Sequence, residues 1–235
     1  TEGKEVWYGA VGSNWEDFWE PWKKKDRETS KLTDIKETIE SLFNRVTVLE
    51  MLQWYTIFST NPNAKKIKMI ARYPQYEATN LITQRVIENK IKRGLIWHFQ
   101  GSGKSLLMIL AAMRLRQEKK LENPTIIIVV DRIDLDTQIS GKFNAANVPN
   151  TIPADSRAEL AKLLKQDTRK VIITTIHKFG EAEGVLNDRD NIIVLVDEAD
   201  RTQEGELGQK MRDALPNAFL FGLTGTPVNK KDRNT

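Results

Sequence analysis

Five consecutive residues, Gly101-Ser102-Gly103-Lys104-Ser105, place two glycines, a lysine and a hydroxyl in the order that a phosphate-binding loop needs. Glycines let the backbone wrap closely enough for N–H groups to converge on phosphate oxygens, and a helix starting at the lysine adds its positive end. Gln100, Gly101, Ser102 and Gly103 would line the phosphates, Lys104 would reach the β- and γ-phosphates, and Ser105 would offer its hydroxyl to Mg²⁺. The full pattern G-x-x-x-x-G-K-[ST] opens on glycine, whereas this chain has His98 there. About ninety residues further on, the apolar run Ile192 to Val196 ends in Asp197-Glu198-Ala199-Asp200, a DEAD box. Side chains leaving a strand diverge, so Asp197 can hold Mg²⁺ through water while Glu198 deprotonates an attacking water. A third string, Leu223-Thr224-Gly225-Thr226-Pro227, closes another apolar run, and its hydroxyls could sense the γ-phosphate. Taken singly, this last string is just as well an ordinary turn. The order of the three, each after a strand, favours chemistry on ATP with Mg²⁺.

Such loops need a rigid frame. Leu95 to Trp97, Thr125 to Val130, Val171 to Thr174, Ile192 to Val196 and Phe219 to Leu223 read as buried strands, with helices near 104–119, 155–166 and 205–214 between them. Strands apolar on both faces and alternating with helices predict an α/β fold, a parallel sheet covered on both sides. In such a sheet the acidic strand is expected next to the phosphate-loop strand. Upstream, Ile35, Ile39, Leu42, Phe43, Val46, Leu49 and Leu52 recur at helical spacing, predicting an amphipathic helix or helix pair from Thr33 to Phe58. Asn61-Pro62-Asn63 breaks it, and a second helical pattern runs from Gln75 to about Ile91. Residues 1–31 hold four of the six tryptophans and Lys23-Lys24-Lys25, and read as the end of one unit and a tether. The expected organisation is thus 1–31, a helical linker 32–93, and an ATP-binding domain 94–235.

A chain of 235 residues can bury a sizeable core, and 40% hydrophobic with 29% charged residues is a globular balance. The net charge of +4 suits a polyanionic partner without requiring one. With no cysteine, disulfides and thiolate metal sites are excluded, and a reducing, cytoplasmic setting is expected. The apolar run Ile126 to Val130 falls far short of the ~18 residues a membrane span needs. The first residue is Thr1, not Met, which fits an excised fragment.

Together the motifs resemble superfamily-2 helicases and translocases, and more narrowly the motor (HsdR) subunit of Type I restriction-modification enzymes. Trp97 to Ser105 is similar to that family's first motif, including its histidine, so His98 becomes expected. Arg72-Tyr73-Pro74-Gln75-Tyr76 resembles the segment before the motor core, where Gln75 would read adenine. Val129 to Gln138, Thr174 to Phe179 and Gly222 to Pro227 resemble further motifs. The family's acidic box usually ends in histidine, whereas this one ends in Asp200. RNA helicases also carry literal DEAD, but with SAT in place of TGTP.

The resemblance implies an ATP-dependent double-stranded DNA translocase and endonuclease subunit, with modification and specificity subunits as partners. Arg132, Gln138 and Thr175 would face the DNA backbone. A solvated helix residue for Arg132 and a strand-end cap for Thr175 are equally open. His177 could couple nucleotide to DNA or serve as a structural histidine. In this superfamily ATP lies between two RecA-like domains, the second supplying arginine fingers, so this chain alone is expected to bind nucleotide better than it hydrolyses it. The nuclease constellation is not expected in residues 1–31. Another double-stranded-DNA translocase or remodeller, or a non-catalytic docking domain that keeps its phosphate loop, are the competing readings.

Overall fold

The computed structural model describes residues 6–11, 19–22, 34–60, 65–99, 101–131, 133–166, 168–180, 184–199, 205–225, 229–230 and 233–234, with backbone alone for 133–138, 229–230 and 233–234. In chain order, a short pair β1 (Trp7–Tyr8) and β2 (Glu20–Pro21) precedes helices α1 (Ile35–Leu42) and α2 (Arg45–Gln53). A hairpin of β3 (Thr56–Thr60) and β4 (Lys66–Ile70) follows, then α3 (Tyr73–Glu88). The remainder runs β5 (Arg93–Trp97), α4 (Lys104–Arg116), β6 (Thr125–Val130), α5 (Ile133–Ala145), β7 (Thr151–Pro153), α6 (Arg157–Lys165), β8 (Val171–Thr175), β9 (Ile192–Asp197), α7 (Glu206–Ala214) and β10 (Phe219–Thr224). Two short strands, β11 (Asn229–Lys230) and β12 (Arg233–Asn234), pair with each other at the end.

Six strands form one parallel sheet in the order β5-β10-β9-β6-β8-β7. Helices cover both faces, as expected for a RecA-like α/β domain. Alternation along each strand sorts the residues. Ile126, Ile128 and Val130 of β6 join Leu107 and Leu110 of α4 and Phe143 of α5 on one face. Ile127 and Val129 join Leu160 and Leu164 of α6 and Met211 of α7 on the other. Each fully buried aliphatic side chain contributes about 1.5–3 kcal/mol, so both layers are needed to hold the sheet.

The five expected strands form, within two residues of their predicted ends, but β5 is not buried as expected: it is an edge strand with Leu95 and Trp97 exposed. The predicted sheet order does not form: β10, ending in Thr224, lies between the phosphate-loop strand β5 and the acidic strand β9. Strand order depends on which crossovers the helices make, which strand periodicity does not encode.

Upstream, the helix pair forms because Asn44 ends one helix and caps the next, accepting from the Val46 N–H at 2.9 Å. Its apolar stripe faces outward: Ile39, Phe43, Val46, Leu49 and Leu52 are exposed, while Thr38, Leu42, Thr47 and Met51 are buried. The predicted helix to Phe58 stops at Gln53, and Thr56–Thr60 pairs antiparallel with Lys66–Ile70. Val6 and Trp22 share one apolar cluster with α3, α4 and the sheet, so packing crosses the predicted divisions at 31 and 93. Among the described residues, no helix is long and apolar enough to cross a membrane.

Candidate active site

The C-terminal ends of β5, β10 and β9 bring the three motifs together. The Thr224 carbonyl accepts from the His98 N–H at 2.9 Å, and Leu223 stands in register with Asp197. After β5 the loop turns through Gly101 (φ +84°) and Gly103 (φ +85°), left-handed conformations that glycine adopts without strain. Gly103 caps α4, so the first N–H groups of that helix open onto the loop. Ser102 Oγ is buried and unpartnered among the described residues, as a phosphate-seeking hydroxyl would be.

Lys104 and Glu198 meet directly. Lys104 Nζ donates to Glu198 Oε1 at 2.8 Å, an ion pair between residues 94 positions apart. Glu198 itself sits at φ +48°, a left-handed turn directly after β9 that redirects its side chain toward the loop. Asp197 is only 8% exposed and accepts from the Glu198 N–H at 3.1 Å. Burial, then the neighbouring Glu198 charge, pushes its carboxyl upward; Lys104 opposes this. A buried carboxylate and the Ser105 hydroxyl are hard-oxygen donors of the kind suited to Mg²⁺, which takes few protein ligands and completes its shell with phosphate and water. Among the described residues no group of three or more His, Cys, Asp or Glu side chains stands ready for a metal.

Gln75 is 2% exposed and joins α3 to the loop. Its Nε2 donates to the Ser102 and Gly103 carbonyls at 3.1 and 3.2 Å, and its Oε1 accepts from the Arg72 N–H at 2.9 Å. In this arrangement its carboxamide braces the loop. A Cβ on Gly103 would stand 2.4 Å from Gln75 Nε2, so Gly103→Ala is doubly penalised, by φ and by contact. That variant is expected to lose at least about 1 kcal/mol of stability and most nucleotide affinity; urea denaturation with nucleotide titration checks both.

His98 is buried against α3. Desolvation holds its imidazole below the usual histidine range, a hydrogen bond to the Pro74 carbonyl opposes this, and the Lys104 charge adds to the depression. The residue that breaks the strict loop pattern therefore contacts the RYPQY segment. Beside the loop a cavity of about 590 Å³ is lined by Gln75, Arg72, Gly101 to Gly103, Tyr8 to Val11 and Lys65 to Ile70. Its outer wall, the upstream segment and the β3–β4 hairpin, carried no signal at the level of motifs.

The nucleic-acid candidates are less gathered. Arg132 and Gln100 lie outside the described residues, as do Thr226, Pro227 and Asp200. Gln138 falls on the backbone of α5, its side chain likewise outside them. Thr175 ends β8 but is 1% exposed, which differs from the surface role the resemblance implies; its side chain turns inward with the buried sheet. His177 is exposed on a short 3₁₀ turn. Lys142, outside every motif, also reaches the loop: its Nζ donates to Ser105 Oγ at 3.0 Å.

A parallel sheet with a glycine-turned loop and paired acids at its C-terminal edge is the architecture of a P-loop ATPase domain. The SWI2/SNF2 ATPase family model matches residues 74–235, and the chain belongs to that family. It is also 34% identical, over its whole length, to the Type I restriction enzyme HindI endonuclease subunit of Haemophilus influenzae, covering 25% of that protein. It is 30% identical over 86% of its length to the Type I restriction enzyme SsaAORF53P endonuclease subunit of Staphylococcus saprophyticus, covering 22% of it. The chain thus spans about a quarter of the length of these curated relatives. A solved Sulfolobus solfataricus SWI2/SNF2 ATPase core in complex with dsDNA shares the fold, at 15% identity and a TM-score of 0.51, over 77% of this chain and 35% of that one.

Proposed function

We propose that this chain is the ATP-binding lobe of an ATP-dependent double-stranded DNA translocase that powers restriction by a Type I enzyme. The observation that carries the reading is the Lys104–Glu198 ion pair, which joins the phosphate loop to the acidic box across the sheet edge. On this reading residues 94–235 are the first RecA-like lobe, working in the cytoplasm with modification and specificity subunits.

The residues divide the work. Backbone N–H groups of Gly101 to Ser105 and the Lys104 ammonium bind the phosphates. Ser105 and Asp197 would hold Mg²⁺, which would supply charge neutralisation on the phosphate oxygens. Once Lys104 turns to the phosphates, the Glu198 carboxylate is released to orient a water and take its proton. The cavity beside Gln75, walled by Tyr8 to Val11 and the hairpin, would take the base. Arg132 and Gln138, after β6, contact the DNA backbone; Thr175 supports that edge from within. The SWI2/SNF2 match equally favours a remodeller-type translocase as the second reading.

Titration with a fluorescent Mg-nucleotide tests the site. The parent protein is expected to bind, and Lys104→Ala to bind at least about 10-fold more weakly, the effect of removing a hydrogen-bonded charge from an anion. Equal affinity in both, or none in either, would point instead to a docking domain.

A further inference from the structure

Lys142 lies on α5 outside every motif, yet it reaches the nucleotide side of the sheet. Its Nζ donates to Ser105 Oγ at 3.0 Å, linking α5 to the first turn of α4. The Ser105 hydroxyl, one of the groups that suit Mg²⁺, thus faces an ammonium. A hydroxyl oxygen has two lone pairs, but an ammonium and a divalent cation held at one oxygen repel each other strongly at such range. Ile139 and Phe143 keep α5 docked in the core, so the lysine alone is free to withdraw while the helix stays.

We propose that Lys142 competes with Mg²⁺ for Ser105, so that loading of the site displaces it and unties α5 from α4. The inference rests on the reading of Gly101 to Ser105 as a nucleotide site. Its consequence is directional. Lys142 holds the Ser105 hydroxyl by its hydrogen bond, and it raises the Mg²⁺ concentration at which nucleotide is held. Because α5 begins directly after β6 and carries Gln138 one turn earlier, the tie also connects the metal position to the helix proposed to meet DNA.

The test is Mg²⁺ titration of fluorescent ADP binding to the parent protein, Lys142→Met and Lys142→Arg. Lys142 is exposed, so neither change disturbs the core. Half-saturating Mg²⁺ is expected to fall about five-fold in Lys142→Met, as for loss of a partly exposed charge interaction of about 1 kcal/mol. It should stay within about two-fold of the parent in Lys142→Arg, which keeps the charge. An unchanged Mg²⁺ requirement in Lys142→Met overturns the competition while leaving the nucleotide site standing. Weaker ADP binding at saturating Mg²⁺ overturns it too, by making Lys142 a phosphate ligand. If the parent protein binds no Mg-ADP, the nucleotide-site reading falls, and the competition with it.

Discussion

A Glu198→Gln protein is expected to turn ATP over about 10²- to 10⁴-fold more slowly than the parent while binding Mg-nucleotide at least as tightly. The side chain keeps its size and its place after β9, so the left-handed turn at φ +48° is no harder to adopt. What disappears is the negative charge that accepts from Lys104 at 2.8 Å. That loss has opposite effects on the two steps. Binding gains, because Lys104 leaves a neutral amide for the phosphates more readily than it leaves a carboxylate. Catalysis fails, because an amide cannot take the proton of the attacking water. The measurement is DNA-stimulated phosphate release by the complete subunit alongside nucleotide titration. Parallel loss of binding and turnover would instead make Glu198 a structural partner of Lys104.

Trp22→Ala is expected to cost about 3–5 kcal/mol in chemical denaturation, a large share of the stability of an ordinary domain. Trp22 is 2% exposed and packs edge-on against Tyr8 and Tyr73, with centroids 5.4 and 4.8 Å away, and tilted against Tyr76 at 5.3 Å. Its indole N–H donates to Ser41 Oγ at 3.3 Å, and its backbone N–H to the Val6 carbonyl at 2.8 Å. Removing the ring leaves a cavity between the upstream segment and α3, with Tyr8 no longer backed. Since Tyr8 to Val11 also wall the space beside the loop, nucleotide affinity should fall with stability. A loss below about 1 kcal/mol would mean that the aromatic cluster is peripheral to folding.

Most of the parallel sheet was legible in the sequence because β6, β8, β9 and β10 are continuous apolar runs buried on both faces. Ile126 to Val130 cannot be mistaken for an amphipathic helix, and the acidic box and the TGTP string each follow such a run directly. The upstream half was less so. Thr56 to Thr60 and Lys66 to Ile70 are largely exposed strands, so they lack the apolar signature and follow a helical run without a visible boundary. The apolar positions of α1 and α2 have helical spacing but face outward, because the buried positions include Thr38 and Thr47. β7 has three residues ending in proline, too few for any period to register. At the site, Lys104, Asp197 and Glu198 were readable as types at a spacing. Lys142 was not, since a lysine on an exposed helix resembles solvated charge until the fold brings α5 beside Ser105. The Gln75 brace on the loop likewise depends on how α3 packs along α4.

The placement of β10 between β5 and β9 makes the sheet a ruler. Two interstrand spacings separate the strand that feeds the loop from the strand that carries the acids, about 10 Å in all. At two spacings only long side chains can meet, and a lysine and a glutamate do so at 2.8 Å. The gap is therefore sized by backbone hydrogen bonding, and the ion pair across it marks its width before any nucleotide enters.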